Sequence, residues 1–160
     1  MAEAGLICPD QSYEMGGMQL PLVVTSCAMG YITAAASTTN GFHALTAANA
    51  NLLETHASQE QIETWVPRLR TGEFAGTMAL SEPQAGSSLA DMRTKAVAQD
   101  DGTYRIFGNK IWISGGDHEL SSNIVHAVLA RIEGAPPGVK GISMFICPKF
   151  LLNEDGSVGE

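Results

Sequence analysis

The chain has 160 residues, of which 44% are hydrophobic, and it carries a formal net charge of −8 at pH 7. This length suits one large domain or two small ones, and the apolar fraction is sufficient to bury a core. The negative charge argues against a protein that binds nucleic acid, which needs a basic face, and against electrostatic anchoring to a membrane. The sequence contains no apolar run close to the roughly 20 residues that a helix needs to cross a bilayer.

The cysteines and the start of the chain indicate where the protein works. Cys8, Cys27 and Cys147 lie far apart in the sequence and show no metal-ligand spacing. They are typical of reduced thiols. The first residues lack the basic segment and the long apolar core of a signal peptide. We therefore predict a cytoplasmic protein without a metal site and without a membrane association.

The first half of the chain has the three- and four-residue apolar spacing of helices. A capping-box pattern opens the last of them, with Ser58 as the N-cap and Gln61 three residues later. Pro67 lies inside this helix and should weaken its hydrogen bonding. The predicted elements are a loop over residues 1–18, helices over 20–36 and 42–55 with a break at 38–41, and a helix from Ser58 that ends at Thr71-Gly72.

From Phe74 onward the apolar pattern changes to the period of two that strands have. Gly108-Asn109 is a two-residue hairpin signal. Because no helical pattern separates the strands, a small antiparallel barrel or sandwich is favoured over a parallel sheet. The predicted strands cover residues 74–80, 93–99, 103–107, 110–114, 123–132 and 141–147.

Two stretches combine an apolar run with small, hydroxyl-bearing and glycine residues: the first stretch (residues 78–88) and the second stretch (residues 110–116). The loop that ends the first stretch can present backbone N–H groups to phosphate oxygens, with the Ser87 hydroxyl as a further donor. In the second, strand alternation would put Trp112 and Ser114 on one face, where they could contact a planar ring. A strand-to-turn connection and a tryptophan packed on the helices are the plain alternatives, and spacing alone does not exclude them.

The sequence lacks the motifs of several common sites. It has no Rossmann fingerprint, no P-loop and no zinc-protease motif. The four histidines show no metal-ligand spacing, and His118, which follows Gly115-Gly116-Asp117, is the one best suited to line a site.

The residues of the two stretches, TMALSEPQAGS at 77–87 and GNKIWISG at 108–115, resemble the middle domain of the acyl-CoA dehydrogenases. Residues 59–73 resemble the last helix before that domain. Residues 123–150 are most similar to the branch that includes 3-methylmercaptopropionyl-CoA dehydrogenase. The resemblance covers nearly the whole chain. It implies an α+β fold with a partial N-terminal helical domain over residues 1–72 and an antiparallel β-barrel domain over residues 73–160, without the family's C-terminal helical domain.

The resemblance implies FAD as the cofactor. Ser81 would hydrogen-bond to the pyrimidine side of the flavin, and Ser114 would lie near its N5 atom. Gly86 and Ser87 would lie near the pyrophosphate, and Ser87 would also approach the CoA portion of the substrate. Ser88 departs from the family, which usually has an aspartate there that braces the turn. The implied cofactor-binding residues are Met78, Ala79, Leu80, Ser81, Gly86, Ser87, Trp112, Ile113 and Ser114.

The activity implied is the α,β-dehydrogenation of an acyl-CoA thioester, with electrons passed to an electron-transfer flavoprotein. In most members the proton is removed by a glutamate of the C-terminal domain, and none of the glutamates here matches it, so no catalytic residue is assigned. We expect a fragment that is inactive alone and belongs to a homo-oligomer. The alternatives are an acyl-CoA oxidase, a non-catalytic remnant that pairs with other subunits, and a DNA-binding relative, against which the −8 charge weighs.

Overall fold

The structure is a computed structural model that describes residues 1 and 3–159, with only the backbone described at Met15. Within these residues, three α-helices precede five β-strands, which confirms the predicted order of a helical block followed by strands. The elements are α1 (Leu22–Ala35), α2 (Ser37–His56), α3 (Gln59–Thr71), β1 (Phe74–Ala79), β2 (Lys95–Ala98), β3 (Tyr104–Phe107), β4 (Asn123–Ile132) and β5 (Ile142–Pro148), with short 3-10 turns at Tyr13–Met15, Leu89–Asp91 and Val139–Gly141.

Helix α2 is longer than the sequence pattern predicts. The predicted break at residues 38–41 is wrong, because these residues form the first turns of α2. The chain breaks earlier, at Ala36, whose φ of −155° and ψ of 78° are not helical. Gly41 is tolerated inside the helix because a single glycine costs only about 1 kcal/mol relative to alanine, which tertiary packing can offset.

Helix α3 has the ends that its sequence specifies. The Ser58 side chain accepts a hydrogen bond from the Gln61 backbone N–H, and the Gln61 side chain accepts one from the Ser58 N–H. Gly72 ends the helix in the left-handed conformation, with φ of 75°. The predicted capping box and helix end are both confirmed, and the helix continues through Pro67.

The predicted strand over residues 110–114 and the hairpin at Gly108-Asn109 are both wrong. The structure describes all five of residues 110–114, and none of them belongs to a strand. Gly108 instead allows the backbone to approach Thr94, since an added Cβ would lie 2.8 Å from the Thr94 Cα. A glycine needed for close approach and a glycine needed for a hairpin turn look alike in a sequence.

The five strands form one mixed sheet in the order β1–β4–β2–β3, with β5 also paired to β4. Strand β4 runs parallel to β1 and β2, and antiparallel to β5. The expectation of a purely antiparallel barrel is therefore wrong in its strand directions. Parallel neighbours require a crossover of about a dozen residues or more. The long connections over residues 80–94 and 108–122 contribute to that crossover between β1 and β4.

Helix α2 packs closely on the sheet through polar contacts. The Thr46 hydroxyl accepts a hydrogen bond from the Gly76 N–H at 3.0 Å. The Asn49 side chain donates to the carbonyl oxygens of Thr77 and Val125 at 3.0 and 2.9 Å. Gly76 permits this approach, because an added Cβ would lie 2.6 Å from the Asn49 Cβ.

The core lies where the helices meet the sheet and the N-terminal segment. Its buried cluster consists of Ile7, Cys8, Ala50, Leu53, Val66, Leu69, Phe74 and Val125. Helix α1 contributes little to it, since Thr25 is the buried residue that the helix provides. Within the described residues, none of the helices is long and apolar enough to cross a membrane.

Candidate functional site

The first stretch leaves β1 at Ala79 and enters a tight turn. The Glu82 N–H donates to the Ala85 carbonyl at 2.7 Å, and the Ala85 N–H donates back to the Glu82 carbonyl at 3.1 Å. Beyond the turn, Gly86 is half-buried and Ser87 is exposed. The Ser88 hydroxyl donates to the Asp91 carboxylate at 2.7 Å, so this loop has a brace although Ser88 replaces the family's usual aspartate.

The second stretch holds Trp112 in an unusual position. Its φ of 57° lies in the left-handed region, and its side chain is 88% exposed. The predicted strand face shared with Ser114 is wrong, because no strand forms here, and the alternative of a tryptophan packed on the helices is also wrong. Bulky residues in this conformation carry strain of about 1–3 kcal/mol, and such residues cluster at ligand sites. An exposed indole held in this way can stack on a planar ligand.

The two stretches lie side by side. The Ile111 N–H donates a hydrogen bond to the Ser81 carbonyl at 3.0 Å. The Lys110 ammonium donates to the carbonyl of Leu80, the preceding residue, at 3.1 Å. Successive residues of one stretch therefore hold successive residues of the other. This contact brings the exposed Trp112 next to the strand end that carries Ser81.

A buried ion pair lies between the stretches. The Lys110 Nζ and Glu82 Oε1 atoms are 2.9 Å apart, and the two side chains are 12% and 3% exposed. Burial alone would raise the pKa of Glu82, but the hydrogen bonds that its carboxylate accepts outweigh burial and lower this pKa from 4.5 to about 2. Glu82 is thus ionised at neutral pH and occupied by protein donors, which makes it unsuitable as a general base.

The loop after Trp112 is fixed against α2. The Gly116 N–H donates to the Ile113 carbonyl at 3.0 Å, and Gly115 adopts a φ of 64° beside the Phe42 ring. The His118 ring contacts Phe42 edge to face, at 5.1 Å between centroids, and its Nδ1 accepts the Leu120 N–H. Its Nε2 is buried and has no hydrogen-bond partner among the described residues. That His118 lines a ligand site stays a prediction.

The apolar part of the first stretch faces in more than one direction. Met78 is 38% exposed and lines a cavity of about 230 Å³ with Leu45 and Leu52 of α2, while Ala79 is buried in the sheet. Asn49 also borders this cavity, and its Oδ1 has no hydrogen-bond partner among the described residues. The predicted flavin edge therefore includes one residue that borders this cavity and one that is buried.

Sequence reasoning missed the roles of Glu82 and Lys110. A signal was present, because Glu82 is the sole charged residue of the first stretch and Lys110 is the sole charged residue of the second. Opposite charges placed singly in two apolar segments are candidates for a buried pair, since burying either alone is costly. For metals, the described residues contain no group of three or more histidine, cysteine, aspartate and glutamate side chains that could hold an ion.

The helical block and the mixed sheet with its paired stretches each match a known protein family. The family model described as the acyl-CoA dehydrogenase N-terminal domain matches residues 1–73, and the one described as the middle domain matches residues 77–157. This chain belongs to the acyl-CoA dehydrogenase family. The implied family fold is confirmed, apart from the strand directions.

Individual relatives support the same assignment. The chain is 46% identical over 147 residues to the 3-methylmercaptopropionyl-CoA dehydrogenase of Ruegeria pomeroyi, a match that covers 92% of this chain and 25% of that enzyme. The predicted similarity to that branch is confirmed. The chain therefore spans about a quarter of the length of this relative.

Solved structures show the fold in three dimensions. The electron transferring flavoprotein structure of Acidaminococcus fermentans matches with a TM-score of 0.79 at 27% identity, over 93% of this chain and 38% of the other. The glutaryl-CoA dehydrogenase of Mycobacterium smegmatis in complex with FADH2 matches with a TM-score of 0.76 at 26% identity, over 95% and 38% respectively.

Proposed function

We propose that this chain forms one wall of the FAD site of an acyl-CoA dehydrogenase that oxidises an acyl-CoA thioester between its α and β carbons. The observation that carries the proposal is Trp112, which is 88% exposed in a left-handed backbone conformation directly after the contact between the two stretches. An aromatic side chain kept out of the core at such a conformational cost suits a ligand with a planar ring.

The residues present fit a flavin. Ser87 and Ser114 are exposed, one in each stretch, and their hydroxyls can donate to polar ligand atoms. We assign Ser81 to the pyrimidine edge, Ser114 to the N5 side, and Gly86 with Ser87 to the pyrophosphate. Ser87 also approaches the CoA portion of the substrate. The remaining proposed contacts are Met78, Ala79, Leu80, Trp112 and Ile113.

FAD, when bound, would accept the β-hydrogen of the thioester as a hydride. The part that this chain plays is to bind and orient. Trp112 would cover the ring, and the joined stretches would hold its polar edge. We assign the general base to a part of the enzyme outside residues 1–160. Glu82 is poorly suited to accept a proton near neutral pH, because the hydrogen bonds to its carboxylate lower its pKa to about 2, and Glu119 and Glu133 are exposed side chains.

The wider setting follows from the family resemblance. We propose that the helical domain ends at residue 72 and the β domain begins at residue 73, that the 160-residue chain alone is inactive, and that the enzyme acts as a homo-oligomer in the cytoplasm. The proposed electron acceptor is an electron-transfer flavoprotein. The likeness to the Acidaminococcus fermentans structure supports this choice.

The test has a binding arm and an activity arm. Isothermal titration of the 160-residue chain with FAD should give one saturable site, and the same chain should not oxidise acyl-CoA. The full-length protein should reduce an electron-transfer flavoprotein with acyl-CoA and should consume little oxygen. Absence of FAD binding by both proteins would contradict the proposal. Rapid oxygen consumption would instead identify the acyl-CoA oxidase alternative, and flavin binding without turnover by the full-length protein would identify the remnant.

A further inference from the structure

We propose that Glu82 and Lys110 form a positioning pair that fixes the spacing between the first and second stretches, and through it the relative placement of Ser81 and Trp112. The inference rests on the proposed function of these stretches as a flavin wall. Neither side chain is assigned a contact with the ligand. Their role is to hold the backbone on which the ligand contacts lie.

Glu82 joins several separate segments of the chain. Both carboxylate oxygens accept from the segment that leads into β2, and one of them also accepts from Lys110 while the other also accepts from the turn that follows β1. Its donors are Lys110 Nζ at 2.9 Å and the Thr94 N–H at 3.0 Å on Oε1, with the Arg93 N–H at 2.8 Å and Gln84 Nε2 at 2.6 Å on Oε2. A carboxylate has about four acceptor positions, so these donors use its full capacity.

Lys110 completes the connection from the other side. Its ammonium donates to Glu82 and also to the Leu80 carbonyl at 3.1 Å. The next residue, Ile111, donates its backbone N–H to the Ser81 carbonyl at 3.0 Å. The ion pair and the backbone hydrogen bond therefore hold adjacent residues of the two stretches together, and Trp112 is the next residue in the second stretch.

Glu82 and Lys110 lie outside the main hydrophobic core, so their effect on the two stretches can be separated from an effect on folding. The main core cluster contains Leu53, Val66, Leu69 and Phe74 at the junction of helices and sheet, and it includes neither Glu82 nor Lys110. The long pairing of β4 with β1 and β5 is also independent of them. Loss of the pair should thus loosen the joined stretches and leave the rest of the fold in place.

The variants are designed to separate the effect of charge from that of geometry. Lys110→Met leaves the buried Glu82 carboxylate without its partner, and an unpaired buried charge is strongly destabilising. The double variant Glu82→Gln with Lys110→Met removes both charges. It should recover part of the stability lost in Lys110→Met, since the glutamine keeps one acceptor oxygen, but it should not restore the lysine bridge to Leu80. Lys149→Met is the matched control, because Lys149 pairs with Asp117, whose side chain is 82% exposed.

The primary measurement is amide hydrogen exchange of the 160-residue chain without FAD. In both the Lys110→Met and the double variant, the Ile111 amide should exchange about tenfold faster or more, because its local hydrogen bond opens more often. The amides of β4 should be accelerated much less than the Ile111 amide in the double variant, and the control should match wild type throughout. Unchanged Ile111 exchange in either variant would overturn the proposal.

The second measurement is the affinity for FAD, which tests whether the spacing of the two stretches matters for ligand binding. The double variant should bind FAD about tenfold more weakly than wild type, the loss expected when a preorganised contact becomes mobile. Faster Ile111 exchange with unchanged FAD affinity would overturn the inference while leaving the proposed function intact. Failure of the wild-type chain and the full-length protein to bind FAD would instead contradict the proposed function, and the exchange measurement would still decide whether the pair fixes the two stretches.

Discussion

The Ile111 N–H donates a hydrogen bond to the Ser81 carbonyl at 3.0 Å. Beside it, Lys110 donates to the carbonyl of Leu80, which lies 30 residues earlier in the sequence. The backbone hydrogen bond sets a strand end beside an exposed tryptophan. In a fold whose core lies elsewhere, the contact is the clearest indication that the two stretches work as one surface.

Gly76 controls the distance between α2 and the sheet. In Gly76→Ala the new methyl group would lie 2.6 Å from the Asn49 Cβ and 3.1 Å from the Thr46 Cα, so the helix must move away. Overpacking of this kind typically costs about 1–3 kcal/mol. We expect the free energy of unfolding in urea to fall by that amount.

Gly41 provides the matched control, because it lies inside α2, the helix that Gly76 contacts. Among the described residues, an added Cβ at Gly41 meets no heavy atom within 4 Å outside the helix's own backbone. Gly41→Ala should therefore stabilise the protein by about 0.5–1 kcal/mol, through helix propensity alone. Equal effects of the two substitutions in urea denaturation would contradict the close contact at Gly76.

The fold illustrates which features a sequence specifies locally. The ends of α3 were predictable because Ser58, Gln61 and Gly72 act within a few residues of themselves. The parallel pairing of β1 with β4 was not, because it aligns residues as distant as Thr77 and His126. Apolar alternation identifies a strand but carries no information on its direction or its neighbours.

Because Glu82 is held ionised in the folded protein, the free energy of unfolding should depend on pH. Its pKa in the folded protein is about 2, below the usual 4.5, so its stabilising contribution is complete above pH 4.5 and is lost as the pH falls from 4.5 to 2. A shift of this size corresponds to about 3 kcal/mol. The free energy of unfolding should fall less steeply over this range in the Glu82→Gln, Lys110→Met double variant. Identical slopes in the two proteins would show that Glu82 is not held ionised by the fold.

The cysteines should differ sharply in reactivity. Burial raises the pKa of the Cys8 thiol to about 11, although Arg70 opposes the rise, and burial also raises the pKa of Cys147. Because the thiolate is the reactive form, iodoacetamide at pH 8 should label the exposed Cys27 first. Mass spectrometry of the digested protein should find Cys8 labelled at a comparable rate only after denaturation. Rapid labelling of Cys8 in the native chain would contradict its burial.

Helix α1 presents an apolar surface that the described residues do not cover. Leu22, Val23 and Tyr31 are 70%, 69% and 82% exposed, and the helix contains no charged residue. Apolar patches of this kind favour association. Light scattering during size-exclusion chromatography should show a mass that rises with concentration, and Leu22→Glu with Val23→Lys should reduce it. A monomer at all concentrations would contradict this expectation.

The candidate site was predictable in composition but not in geometry. Family resemblance assigned Trp112 and Ser81 to one ligand, and the structure joins their segments. Alternation predicted a strand for residues 110–114, yet Trp112 has a φ of 57° and Gly115 a φ of 64°. These conformations depend on contacts with distant residues such as Phe42 and Ser81, which no local pattern contains.

The most direct test of the flavin wall is FAD quenching of single-tryptophan chains. The protein has two tryptophans, and Trp65 lies beside Phe74 at the core. In Trp65→Phe, which retains Trp112, FAD should remove most of the tryptophan fluorescence in a saturable way. In Trp112→Phe, which retains Trp65, saturation should remove a much smaller fraction, with free tryptophan amide as the control for light absorption by FAD. Equal quenching of the two chains, or none beyond that control, would contradict the placement of Trp112 against the flavin.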